Sequence, residues 1–299
     1  MKHVAPLSAA VALVLALPAW AAKPPPPVCL GPAQVFAPGV ISTPGLNEGR
    51  LAFTPDRQTI YWHVNEIPGP PGSDALFTIM TAQRTATGWS TPDVASFSGL
   101  GQFADSDPVV SLDGQRLVFS SNRPGNLGPY PLNDLWVVER TGSGWSEPVN
   151  LGPNVNSPYN ELYASLDRAG NLYFASDRDR GQWDIYRSLR QPDGRYGPAM
   201  SIGPGVDHSH LWEFNPQISP DGRSLLYSTV GRQDGLGDVD IYLSRIERNG
   251  RLGNPVNVGS CVNSAGTEFH PTMLWDSNEL YFARVHETID LMVAPIEMP

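Results

Sequence analysis

One short pattern recurs five times along this 299-residue chain, and so steady a period restricts it to a repeat architecture. The clearest copy reads Ser219-Pro220-Asp221-Gly222-Arg223-Ser224-Leu225-Leu226-Tyr227, followed by Asp240-Ile241-Tyr242. Its counterparts are Asp56 with Thr59-Ile60-Tyr61, Asp113-Gly114 with Leu117-Val118-Phe119 and Asp134-Leu135-Trp136, Asp167 with Leu172-Tyr173-Phe174 and Asp184-Ile185-Tyr186, and Asp276 with Leu280-Tyr281-Phe282 and Asp290-Leu291-Met292. The five marker aspartates stand 54 to 57 residues apart. Within each unit, apolar and aromatic runs of strand length alternate with Gly-, Pro- and Asp-rich turns, and no segment carries a helical period of useful length. A four-stranded unit of this size is one blade of a β-propeller, so the expected fold class is all-β, a five-bladed β-propeller of antiparallel blades.

The fifth unit stops soon after its third strand and lacks the segment that elsewhere reads Trp145-Ser146-Glu147-Pro148-Val149-Asn150-Leu151-Gly152. A matching segment, Leu30-Gly31-Pro32-Ala33-Gln34-Val35-Phe36, stands near the N-terminus. Pairing it onto the last blade would cover an open sheet edge and fasten the ring.

Ahead of that strand, Lys2 and His3 precede an apolar stretch from Val4 to Leu17, and Ala19-Trp20-Ala21 supplies small residues at cleavage spacing. Residues 1–21 therefore read as a secretory signal peptide, 22–29 as a Pro-rich spacer and 30–299 as one propeller domain, which makes the protein periplasmic or secreted. A net charge of −10 opposes binding to nucleic acid or anionic lipid. Two cysteines in an exported chain make Cys29–Cys261 a candidate disulfide. Alignment of the outer strands argues against it, placing the two at opposite rims, whereas a bridge needs Cα atoms within about 7 Å.

The pattern Glu213-x-x-Pro216-x-x-Ser219-x-Asp221-Gly222, with Leu225-Leu226-Tyr227 and Asp240-Ile241-Tyr242, resembles the WD40-like (PD40) repeat of the TolB-like β-propeller family. The resemblance covers residues 30–299. It implies a periplasmic propeller that binds protein partners, with peptidase propeller domains and pectin-fragment lyases as distant relatives. TolB itself carries an α/β domain ahead of six blades, so its role in the Tol–Pal system does not transfer to this chain.

Residues that recur in every blade are architecture. Asp113-Gly114 and Asp221-Gly222 suit tight turns, and Asp134, Asp184 and Asp240 suit capping of the preceding loop through backbone N–H groups. The first strand of each unit alternates polar and apolar, for example Glu213, Asn215, Gln217 against Phe214, Pro216, Ile218. On strict alternation, Glu48, Asp105, Asp107, Glu161, Glu213 and Glu268 would gather around the central axis with Arg50 and His270.

Two readings of function follow. In the first, the chain is a protein-binding or scaffolding module that meets an envelope protein or a glycan through one rim and the channel mouth, with Tyr130, Trp183, Arg50 and Glu161 as binding residues, no membrane insertion after cleavage and no obligatory cofactor. In the second it is a carbohydrate-active hydrolase or metal-assisted lyase, with Glu48, Asp105, Glu213, Glu268 and His270 at an acidic channel. His208, His210 and His270 are candidate ligands for Ca²⁺ or another divalent cation. No Gly-x-Ser-x-Gly context supports a serine hydrolase.

Overall fold

The computed structural model describes residues 23–67, 76–129, 131–142, 144–179, 181–203 and 211–299. Five antiparallel sheets, one per sequence unit, form a five-bladed β-propeller. The innermost strands are Asn47–Phe53, Asp105–Val110, Glu161–Leu166, Glu213–Ile218 and Glu268–Leu274. Each is followed outward by a second and a third strand, as in blade four, where Ser224–Val230 and Val239–Arg245 precede the outer strand Val256–Asn257. The outer strands are two-residue segments, and in three blades they are split in two.

The ring closes as the missing fifth-blade segment requires. Gln34–Val35 pairs with Val293 and Met292 of the last strand, and Val28–Cys29 pairs with Glu297 and Ile296. Pairing thus begins at Val28, inside the stretch read as a spacer. Cys29 and Cys261 form a disulfide with Cα atoms 6.0 Å apart. The expected separation by a full blade height fails because sheet twist tilts the outermost strands away from the ring axis, so the end of one comes beside the end of its neighbour.

Apolar residues from neighbouring blades meet in five clusters, one per junction. Tyr173, Ile185 and Ile202 of blade three pack on Ile218, Leu225, Tyr227 and Tyr242 of blade four, and Leu226, Ile241 and Leu243 of blade four pack on Leu280, Phe282 and Met292 of blade five. Burying both faces of every sheet is what makes a single blade dependent on its neighbours.

Of the recurring aspartates, Asp113, Asp221, Asp134 and Asp240 behave as turn and cap residues. Asp113 and Asp221 accept the backbone N–H of Gln115 and Arg223, while Gly114 and Gly222 hold φ of 70° and 71°. Asp134 accepts the N–H of Leu127, and Asp240 accepts that of Leu236. Among the described residues, no helix is long and apolar enough to cross a membrane. Residues 1–21, Tyr130, His208 and His210 lie outside the described residues.

Candidate binding pit at the mouth of the central channel

One irregularity, repeated five times, decides which side chains reach the axis. Each innermost strand carries a one-residue β-bulge, marked by register shifts between Gly49 and Ala52, Ser106 and Val109, Leu162 and Ser165, Phe214 and Gln217, and Phe269 and Thr272. The bulge residues Arg50, Asp107, Tyr163, Asn215 and His270 have φ between 34° and 61°. None is glycine, although each left-handed position costs an L-residue about 1–2 kcal/mol. An inserted residue reverses the alternation on either side of it. In blades two to five the acid two positions earlier therefore faces into its own blade while the bulge residue faces the axis; Glu48 of blade one lines the pit described below.

This corrects the expectation of an acidic channel. Asp105 accepts from Arg123 Nη2 at 2.8 Å and from the Gly99 N–H at 2.7 Å. Glu161 accepts from Arg178 Nη2 at 2.9 Å and from Ser176 and Ser157. Glu268 accepts from Arg284 Nε at 2.9 Å and from the Ser264 N–H at 2.9 Å. Each of these acids ties the connection entering its blade to an arginine at the end of the second strand. The guanidinium is stacked in turn on an aromatic ring, as Arg123 is on Phe119 at 4.9 Å and Arg178 on Tyr186 at 4.7 Å. The Ser157-x3-Glu161 and Ser264-x3-Glu268 spacing recurs as Ser209-x3-Glu213, where Ser209 lies outside the described residues. Glu213 is buried and does not line the pit described below, and burial, followed by the charge of Asp184, pushes its carboxyl up to about 8.

Arg50 crosses the channel. From blade one, its Nη2 donates to the carbonyls of Ala164 in blade three and Pro216 in blade four and to Gln217 Oε1, at 3.0, 3.1 and 3.2 Å. It is 1 % exposed. Burial lowers its pKa to about 10, which still leaves it charged at neutral pH. Of the proposed binding residues, then, Arg50 and Glu161 are internal, and Trp183 stands on the rim with its ring 6.1 Å from Tyr163.

Near this crossing lies a pit of about 210 Å³ lined by Glu48, Gly49, His63, Asn65, Phe77, Asp107, Tyr163, Phe269 and His270, among others. His63, missed in the sequence, is paired across from Gly49. The corresponding second-strand positions hold Ser120, Ala175, Ser228 and Ala283. A Cβ on Gly49 would stand 2.2 Å from His63 Nε2, so glycine is what admits the imidazole. The signal available in the sequence is this joint departure from the repeat.

His63, Asp107 and His270 offer three donor atoms within 4.8 Å of one another, a spacing that suits a divalent ion. Their hydrogen bonds assign them differently. His63 Nδ1 accepts the Asp107 N–H at 3.0 Å and His270 Nδ1 accepts the Arg50 N–H at 3.3 Å. Each neutral ring then carries its proton on Nε2, the form that donates rather than ligates. Burial, chiefly, lowers both imidazoles, His63 to about 4. Asp107 is held well below the usual carboxylate range because His63 and His270, once protonated in acid, outweigh its burial. Its Oδ1 lies 3.2 Å from His270 Nε2, yet without the alignment of a hydrogen bond.

Glu48 shares the pit. Its Oε1 accepts the N–H and hydroxyl of Thr43 at 2.9 and 3.0 Å, and burial outweighs these bonds to push the carboxyl up to about 7. With a folded pKa above the ordinary 4.5, this group favours the folded state below pH 4.5, and that contribution is lost as the pH rises through 7. Glu48→Gln should therefore flatten the fall in stability between pH 4.5 and 8, a difference of about 1–3 kcal/mol. Melting curves of the two proteins that run parallel across this interval would rule the assignment out.

No family profile and no curated protein matches the chain. Similar solved structures include one described as a glycoside hydrolase, 9 % identical over 93 % of this chain and 92 % of that one, with a TM-score of 0.59. A native arabinanase of Bacillus subtilis is 11 % identical over 84 % and 94 % at a TM-score of 0.51. A protein assigned as TolB from Agrobacterium tumefaciens is 14 % identical over 80 % and 70 % at 0.52. At these identities the likeness is one of fold: a propeller with both TolB-like and glycoside hydrolase neighbours.

Proposed function

We propose that this chain is an exported, periplasmic propeller that binds a partner protein at the mouth of its channel and serves as a binding or scaffolding module. One observation carries the reading. The rim that bears the pit also holds Phe77, Leu100, Leu127, Tyr159, Trp212, Leu236 and Val285, all at least 40 % exposed. On the opposite rim stand Leu112 and Leu189, with Val28 and Leu30 at the end of the closing strand, while Val149 and Met200 are exposed along outer strands, so the larger gathering is on the pit side. Exposed apolar groups gathered on one face of a rigid ring mark an interaction surface, and aromatic anchors such as Trp183 and Trp212 suit its centre. The signal-like N-terminus and the disulfide support an oxidising compartment.

The test is in-cell photo-crosslinking with a reactive residue at position 183, and at Leu112 as the control. The proposal expects one protein captured from position 183 and none from position 112. Equal capture from both rims, or capture from neither, would refute it.

A second reading keeps one specific observation in its favour. Glu48 and Asp107 line the same pit with pKa values pushed apart, the pattern of an acid and its ionised partner in glycoside cleavage. It requires that a polysaccharide panel yield product with the native protein and not with Glu48→Gln.

A further inference from the structure

The unsatisfied atoms of the pit share one character. Glu48 Oε2, Asn65 Oδ1 and Asp107 Oδ1 are buried oxygens without a hydrogen-bond partner, and all three residues line the same cavity. Glu48 and Asp107 are 1 % and 2 % exposed, so these two carboxylates are built into the floor rather than scattered on a surface. Asn65 Oδ1 and Asp107 Oδ1 are acceptors, as is Glu48 Oε2 once its carboxyl, pushed up to about 7, ionises, and such a site takes a ligand that brings donors. Around them stand aromatic walls: the Phe77 ring lies 5.2 Å from His63, and Tyr163 lies 5.5 Å from His270.

We propose that the pit receives the ammonium group of a lysine side chain presented by the partner protein. This rests on the reading of the rim as a protein-binding face and names the chemistry recognised there. An ammonium carries three N–H donors and no acceptor, the complement of unpartnered acceptor oxygens, and as a cation it favours the ionised form of Glu48. The aromatic walls suit a cation. Both histidines, neutral through the N–H groups their Nδ1 atoms accept, add no repelling charge. Arg50, the buried cation nearby, is turned away through its bonds to Ala164, Pro216 and Gln217 and does not line the cavity. A volume of about 210 Å³ admits a four-carbon stem with its head group. The net charge of −10 favours a basic partner over an acidic one.

The experiment titrates the oxidised, folded chain with acetyl-Ala-Lys-Ala-amide and follows the His63 and His270 imidazole resonances by NMR. The expected result is saturable binding that weakens roughly ten- to a hundredfold when the peptide lysine is Nε-acetylated. Because that comparison changes the ligand and not the protein, it does not depend on any variant folding. Asp107→Asn and Glu48→Gln should each weaken the unmodified peptide in the same direction. Glucosamine supplies an ammonium from a sugar and should bind more weakly than the peptide.

Equal binding of the acetylated peptide, no response to the lysine peptide, or tighter binding of glucosamine would overturn the proposal. If capture from position 183 persists while the lysine peptide fails, the inference falls and the rim reading stands. If capture itself is absent, the rim reading falls first.

Discussion

Replacing Cys29 and Cys261 by serine should lower the stability of this propeller by about 5 kcal/mol, the loop-closure value for a bridge of this span, and its melting temperature by on the order of 10 °C. The bridge joins residues 232 apart in sequence, so in the unfolded chain it closes a loop of nearly the whole domain. In the folded state it secures the weakest seam. The N-terminal segment meets blade five through two short pairings, Val28–Cys29 against Glu297 and Ile296, and Gln34–Val35 against Val293 and Met292. Strands so short fray on their own. Cys29 is fixed instead to Cys261, which follows the outer strand of blade four and packs against the apolar cluster between blades four and five. Loss of the bridge should therefore also raise hydrogen exchange along Ile289–Glu297 before any other blade responds. A melting temperature unchanged within a degree on reduction would contradict this account of closure.

The second large effect belongs to the buried acids. Asp105→Ala should cost about 3–5 kcal/mol, the range for stranding one member of a buried ion pair. Asp105 is 0 % exposed, and its loss leaves the guanidinium of Arg123 and the N–H of Gly99 without their acceptor. Arg123 keeps the Phe97 carbonyl at 3.3 Å and its stacking on Phe119, so the charge stays buried rather than swinging out to water. Asp105→Ala with Arg123→Met should recover most of the loss, since removing both charges removes the desolvation problem. Chemical denaturation of the two single variants and the double variant measures this coupling. A cost below about 1 kcal/mol for Asp105→Ala, the scale of an exposed pair, would show that the acids do not tie the blades.

The fold was legible because turn chemistry and strand alternation repeat with one period, and because the segment missing from unit five matches the one at Leu30–Phe36. The site was legible in part, since strand alternation places Glu48, Asp107 and His270 at the axis and all three line the pit, and the rest was hidden for a physical reason. A β-bulge adds one residue without changing composition, so Glu161-Leu162-Tyr163-Ala164-Ser165 reads as plain alternation while the chain reverses its faces at Tyr163. Asp105, Glu161 and Glu268, expected on the axis, turn into the blades, and the axis is given to Arg50, Asp107, Tyr163, Asn215 and His270. His270 was legible from strand alternation, which places it at the axis. His63 was overlooked because it sits in a second strand, and its signal lies only in the contrast with Ser120, Ala175, Ser228 and Ala283 at the corresponding positions. The rule that repeated residues are architecture held for Asp105, Glu161 and Glu268, and the informative positions proved to be the ones that differ between blades.

Glu161 and Tyr163 are two residues apart on one strand and are assigned opposite duties, the first to the blade and the second to the pit. The most direct test is the capture yield from a photo-reactive residue at position 183, per folded molecule, in Glu161→Gln and Tyr163→Asn backgrounds. Asparagine tolerates the left-handed backbone at position 163, so the second change removes the ring with little strain. The account predicts that Tyr163→Asn lowers capture about tenfold with a small change in melting temperature, and that Glu161→Gln lowers the melting temperature and leaves capture unchanged. The reverse pattern would place the working surface with the recurring acids and contradict the account.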